Sequence, residues 1–199
     1  MHLSVLAATI KRRLTMVTGQ VNYKVAGTYN FTIPAGVYSV SVALVAAGTK
    51  ATLSGSGDGG NLRYQNDYPV KPGEVIQIVV GDDVNNPLSR FGNLRSDSPL
   101  GGAIMGADGS RGTTGNSTQR GGNVGGSGFN RNVGAGINLE TWAITTNTGI
   151  ASAGNAPGAG GDMYVNDDGR RTAYRGNLGM VRIIWGTGRA FPDKNIGNL

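Results

Sequence analysis

The sequence predicts an all-β protein: a β-sandwich or jelly-roll-like domain with a glycine-rich, polyglycine-helix-like insertion. Three observations carry this. Apolar residues alternate with small or polar ones at period two in several short runs, the mark of half-buried strands. Of 199 residues 35 are Gly, well above the usual roughly 7%, and they crowd into the middle of the chain. Hydrophobic residues reach only 38% and charged residues 15%, which excludes a helical bundle and argues against charge-driven disorder.

Residues 1–20 read as an N-terminal arm. Leu3, Val5 and Leu6 lie in an apolar run (LSVLAATI) with no evident core to enter, and Lys11-Arg12-Arg13 follow it. A secretory signal puts its basic cluster before the apolar run, so export by that route is not expected. The stretch could also be an upstream extension, with Met16 as the natural start. No apolar run approaches the roughly 18 residues of a membrane span, so no membrane insertion is expected.

The sandwich is expected from residues 21–100 and 179–192. Residues 29–33 (YNFTI) alternate and are stopped by the turn signal Pro34-Ala35-Gly36. Residues 38–45 place Val40, Val42 and Leu44 on one face and Ser39, Ser41 and Ala43 on the other. That small-residue face is either wet or closely packed by another layer. Residues 61–64 suggest a short strand, and residues 70–74 (VKPGE) a turn in which Pro fixes φ. Residues 75–80 (VIQIVV) are the strongest strand, and their near-continuous apolarity predicts burial on both sides. Residues 179–185 (GMVRIIW) return to the sheet begun near the N-terminus. Residues 186–199 read as a polar tail turning at Pro192-Asp193, with 193–199 beyond the domain.

Residues 101–178 form the glycine-rich region. Between 101 and 136 there are 13 Gly in 36 residues, with almost no apolar bulk. Gly106, Gly109, Gly112 and Gly115 recur every third residue, and Gly122, Gly125 and Gly128 repeat the interval in another phase. Three residues per turn is the period of an extended left-handed helix, and Gly along one side lets backbones approach closely. No Pro lies between Pro99 and Pro157, so collagen is a poor fit. A flexible linker is the alternative; the packed bundle is the reading adopted. Residues 139–145 (LETWAIT) suggest a strand crossing this region, with Trp142 as a plug.

The chain has no Cys and one His, His2. A thiolate nucleophile, a Cys-based metal site and a His general base are thereby excluded or nearly so. Asp82-Asp83 and Asp167-Asp168 lack the ligand spacing of a calcium loop and read as turn formers. No enzyme activity, cofactor or metal is expected. The net charge of +6 lacks aromatic interleaving, so no nucleic-acid partner is expected.

Three segments carry a resemblance: residues 29–48 (YNFTIPAGVYSVSVALVAAG), residues 59–92 (GGNLRYQNDYPVKPGEVIQIVVGDD through SRFG), and residues 179–192 (GMVRIIWGTGRAFP). In this order they resemble glycine-rich virion structural proteins of tailed bacteriophages, particularly tail-fibre and baseplate proteins of cyanobacterial phages. The resemblance implies a virion-located, non-enzymatic structural protein that contacts other virion proteins, most simply as a homo-oligomer with a trimer favoured. Some phage adhesins similarly place packed polyglycine helices at a fibre tip, and a capsid decoration or cement protein is a further alternative. This chain departs at Gly48-Thr49-Lys50-Ala51, which stands where a poly-Gly run is expected.

Two groups are candidate partner contacts. Docking within a particle would use the arm: Leu3, Val5, Leu6, Lys11, Arg12 and Arg13. Contact with a host surface glycan or protein would use loops 138–148 and 163–174, with Trp142, Tyr164, Arg170, Arg171 and Tyr174, since Tyr and Arg are common hot-spot residues.

Overall fold

The computed structural model describes residues 17–53, 57, 60–96, 136–140, 143–145, 157–161, 163–165 and 168–191. Among them there is no helix. The strands are β1 (Gly19–Tyr23), β2 (Gly27–Thr32), β3 (Ser39–Val45), β4 (Leu62–Pro69), β5 (Val75–Val80), β6 (Arg90–Phe91), β7 (Leu94–Arg95), β8 (Gly136–Asn138), β9 (Ala143–Thr145), β10 (Met163–Val165), β11 (Arg171–Ala173) and β12 (Met180–Trp185). Two four-stranded antiparallel sheets dominate, ordered β1-β12-β3-β4 and β2-β5-β6-β7. The closing segment enters between β1 and β3, as its apolar pattern predicts.

One core joins the two sheets. Val40, Val42, Leu44, Val181 and Ile183 of the first sheet meet Phe31, Ile76, Ile78, Val80, Phe91 and Leu94 of the second. Alternation at period two forces this: each strand sends every other side chain inward. Ser89 ties the sheets at one end. Its hydroxyl donates to the Val45 carbonyl (2.6 Å) and accepts from the Gly81 amide (3.1 Å).

Both faces are buried in β12, where residues 180–184 are all buried, and in β3, where residues 40–45 are. The expectation of double burial for residues 75–80 is corrected. In β5, Val75 and Gln77 are exposed while Ile76, Ile78 and Val80 are buried. Apolar composition alone misleads there, because no layer covers the far side of Val75. Sheet β1-β12-β3-β4 is covered on its other face as well. Ala43, Val45, Leu62, Met180 and Ile184 form a second cluster with Leu139 and Phe191. The small-residue face of β3 is therefore packed rather than wet. Residues 139–145 do not make one strand: β8 and β9 pair with each other, and Leu139-Glu140 turn between them.

Part of the expected C-terminal tail is structural. Residues 186–191 cross the second face, with Ser41 Oγ donating to the Arg189 carbonyl (3.1 Å). Asn66 clamps Phe191 from both sides, donating to its carbonyl (2.7 Å) and accepting from its amide (2.8 Å). Asn66→Ala removes both bonds and should cost about 1–3 kcal/mol. Chemical denaturation measures this, and loss of the Phe191 amide's exchange protection locates it.

Candidate functional site

Away from the N-terminus of β1, the chain at one end of the sheets is held by backbone rather than by side chains. Residues 46–51, 157–161 and 174–179 meet there, together with Gly57 and Gly60. The Gly48 amide donates to the Asn177 carbonyl (2.9 Å) and the Ala51 amide to the Tyr174 carbonyl (3.0 Å). One chain advances three residues while the other retreats three. The same step recurs between Gly57 and Gly161 (2.7 Å) and between Gly60 and Gly158 (2.6 Å). Gly158 donates to Leu178, Asn177 to Ala159 and Gly161 to Thr49, at 2.9, 2.7 and 2.9 Å. Residues 157–161 thus bond to three neighbouring segments.

A three-residue step is what extended threefold chains offer, since they make no internal hydrogen bonds and leave their amides to neighbours. Several positions in this packing admit only Gly for steric reasons. A Cβ on Gly48 would overlap the Ala159 carbonyl, one on Gly60 the Ala46 carbonyl, and one on Gly161 the Tyr174 carbonyl. Gly57 and Gly176 face the Thr49 and Gly48 carbonyls in the same way. Residues 48–51 take part despite Thr49, Lys50 and Ala51, because the side chains of Thr49 and Lys50 stand exposed. The departure from a poly-Gly run is accommodated.

Hairpin β10–β11 adjoins this end, with Tyr164 opposite Thr172. Arg171 donates to the Leu53 carbonyl (2.8 Å). Arg170 pairs with Asp168 at 3.5 Å across an exposed turn, a contact worth little in water. Tyr174 is half-buried, its carbonyl engaged by Ala51. Arg170, Arg171 and Tyr174 therefore lie on the β10–β11 hairpin and its exit. Leu3, Val5, Leu6, Lys11, Arg12, Arg13 and Trp142 lie outside the described residues.

Sequence reasoning missed two features of this end. Leu53 is 60% exposed. Arg175 forks onto the buried Asp83 carboxylate through Nε (3.0 and 3.1 Å) and Nη2 (2.6 Å). That hydrogen bonding, reinforced by the charge of Asp83, raises the Arg175 guanidinium above its usual value. Neither feature has a local signal: Arg175 and Asp83 are distant in the chain, and only the fold joins them.

Asp82 forms the turn expected of it. Its Oδ1 accepts from the Val84 and Asn85 amides at 2.7 and 2.6 Å. Bonds from the Asn85 and Val84 amides hold the carboxyl below its ordinary value of 3.8. A lowered folded value means the turn is favoured above the unfolded value and weakened as pH falls through the folded one. The Val84 and Asn85 amides should keep their protection at pH 5 and lose it as pH falls well below 3.8, which exchange measurements check.

A second polar cluster lies on the outer face near β1. Glu140 receives Lys24 Nζ (2.7 Å) and Asn22 Nδ2 (2.8 Å), anchoring the β8–β9 turn. Arg182 is fully buried and donates to Gln20 (2.9 Å), which also receives Arg189 (2.7 Å). Burial pulls the Arg182 guanidinium below its usual value; Glu140 opposes that and Arg189 adds to it. Both clusters fasten chain to sheet. Among the described residues no group of three or more His, Asp or Glu is placed to hold a metal ion.

Comparison with protein-family models finds no match. Comparison with curated proteins finds none either.

Proposed function

We propose that the protein is a non-enzymatic structural component of a tailed-phage virion, in the tail fibre or baseplate, assembling as a homo-oligomer. In this reading a jelly-roll-like sandwich carries the glycine-rich region at one end, and residues 101–135 extend the period-three packing of residues 46–51, Gly57, Gly60, 157–161 and 174–179. The observation that carries the reading is that packing: amides stepping by three residues between segments, with Gly wherever a Cβ would strike a carbonyl. It supports a stiff, backbone-bonded end with few bulky side chains, suited to assembly rather than catalysis. The ordered resemblance of three segments to phage structural proteins is what supports a virion location.

Mass spectrometry of purified particles, with heads and tails separated, tests this. Recovery with tails supports the reading. Recovery with heads alone replaces it with a capsid decoration or cement protein, and absence from particles overturns it.

The alternative is a host-binding adhesin. Exposed Arg170, Arg171 and Leu53 beside the glycine-packed end favour it. Purified protein that binds intact host cells, and loses binding in an Arg170→Ala/Arg171→Ala variant, would support this role. Absence of binding would leave the structural one.

A further inference from the structure

At the opposite end of the sheets, beside the start of β1, a cleft of about 280 Å³ opens between the turn preceding β3 and the turn following β12. Tyr38 on its rim is 68% exposed, unusually high for an aromatic with a fixed backbone. The Tyr38 carbonyl accepts from the Val70 amide (3.0 Å), and neighbouring Val37 is buried and bonded to Pro34 (3.2 Å). Trp185 supplies a second ring. It lies so close over Gly19 that any Cβ there would overlap it, and it packs on Phe31 with centroids 5.8 Å apart.

Asp67 lines the cleft too. It occupies a bulge between β3 and β4 and has a φ of 53°, the sole positive φ outside Gly among the described residues. Such a conformation is strained for a residue with a Cβ and persists where neighbours enforce it. Here Asn66 is clamped to Phe191 and Tyr68 packs edge-on against Phe91. The cleft is thus built from rigid parts, which lowers the ordering cost of binding.

Its lining selects a ligand class. Two aromatic rings offer apolar faces, Ser39 and Thr187 offer hydroxyls, and Asp67 offers a carboxylate acceptor. Among the described residues no Lys, Arg or His lines it, so phosphate, sulfate and carboxylate ligands find no counter-charge in that lining. The volume suits a ligand of one or two sugar rings, near the lower end of small-molecule pockets. A pyranose has the matching surfaces: a C–H face that stacks on an aromatic ring and equatorial hydroxyls that donate to a carboxylate. We propose that this cleft is a binding site for a neutral pyranose saccharide, with Tyr38 as the stacking platform and Asp67 as the hydroxyl acceptor. The proposal rests on the lining alone and does not require a virion role, so its failure would leave the reading above intact.

The test is amide-resolved NMR titration of the full chain with methyl glycosides of glucose, galactose, mannose, fucose and N-acetylglucosamine, alongside tetramethylammonium. At least one glycoside should shift the Tyr38, Asp67, Gly186 and Gly188 amides saturably. Tyr38→Ala and Asp67→Asn should each weaken that binding about tenfold. Tyr38 is exposed, so its variant should keep the wild-type melting temperature, which separates lost binding from lost fold. Shifts with no glycoside, shifts confined to other residues, or shifts with tetramethylammonium alone (a cation site lined by aromatics) would each overturn the proposal.

Discussion

Gly158→Ala should destabilise the protein by about 2–5 kcal/mol, although it adds one methyl group. Two costs combine. Gly158 has a φ of 75°, where an L-residue loses about 1–2 kcal/mol. Its new Cβ would also stand 2.5 Å from Val45 Cγ1 and 2.9 Å from the Ala46 carbonyl. Val45 is buried in the second cluster and cannot retreat freely. The Gly158 amide and carbonyl are both bonded, to Leu178 and Gly60, so a backbone shift would break contacts with two segments at once. Gly73→Ala is the control. Gly73 has a φ of 80° but nothing within 4 Å of a Cβ, so it should lose only the conformational part, about 1–2 kcal/mol. The difference between the two variants in denaturant midpoint, at unchanged slope, isolates the overlap from the backbone strain.

Phe91→Ala should cost about 3–5 kcal/mol, a large share of the roughly 5–15 kcal/mol that holds a typical domain folded. Phe91 is fully buried on the two-residue strand β6, opposite Ile78 and Leu94. Its ring meets Tyr68 of the other sheet edge-on, with centroids 5.3 Å apart and planes at 90°. It therefore fastens β6 to β5 and one sheet to the other. Truncation leaves a cavity that two such short strands cannot close without losing register. Val75→Ala on the exposed face of β5 should change stability by less than about 0.5 kcal/mol. A large effect at Val75 would contradict the face assignment of β5.

The sandwich strands were legible because alternation is local. Val40, Val42 and Leu44 announce their face within eight residues, and residues 180–185 announce their apolarity. Which of the apolar runs is buried on both faces was not legible. Residues 75–80 and 180–185 look alike in composition, and only the layer formed by Leu139 and Phe191 distinguishes them. That layer arrives from chain far away in sequence. The period-three glycines read from the sequence and the backbone bonds seen in the structure fall on different residues. Period three is visible in residues 101–136, which lie largely outside the described residues, whereas the observed bonds use residues 46–51, Gly57 and Gly60. There Thr49, Lys50 and Ala51 hide the period: the side chains of Thr49 and Lys50 stand exposed and do not disturb it, and Ala51 buries only a methyl group.

Of the candidate contacts, Arg170, Arg171 and Tyr174 share one hairpin and its exit, since neighbours in sequence stay neighbours on a two-strand turn. Arg175–Asp83 and the Tyr38 cleft were not legible. Each joins residues tens of positions apart, and their exposure depends on packing that no local pattern encodes.

The central claim is that backbone hydrogen bonds at three-residue spacing make the glycine-rich end solid. Amide-resolved hydrogen exchange on the intact chain tests it most directly. Gly48, Ala51, Gly57, Gly60, Gly158, Gly161 and Asn177 donate those bonds, and their amides should exchange as slowly as those of β12. Exchange of these seven at free-chain rates, with β12 still protected, would contradict the account.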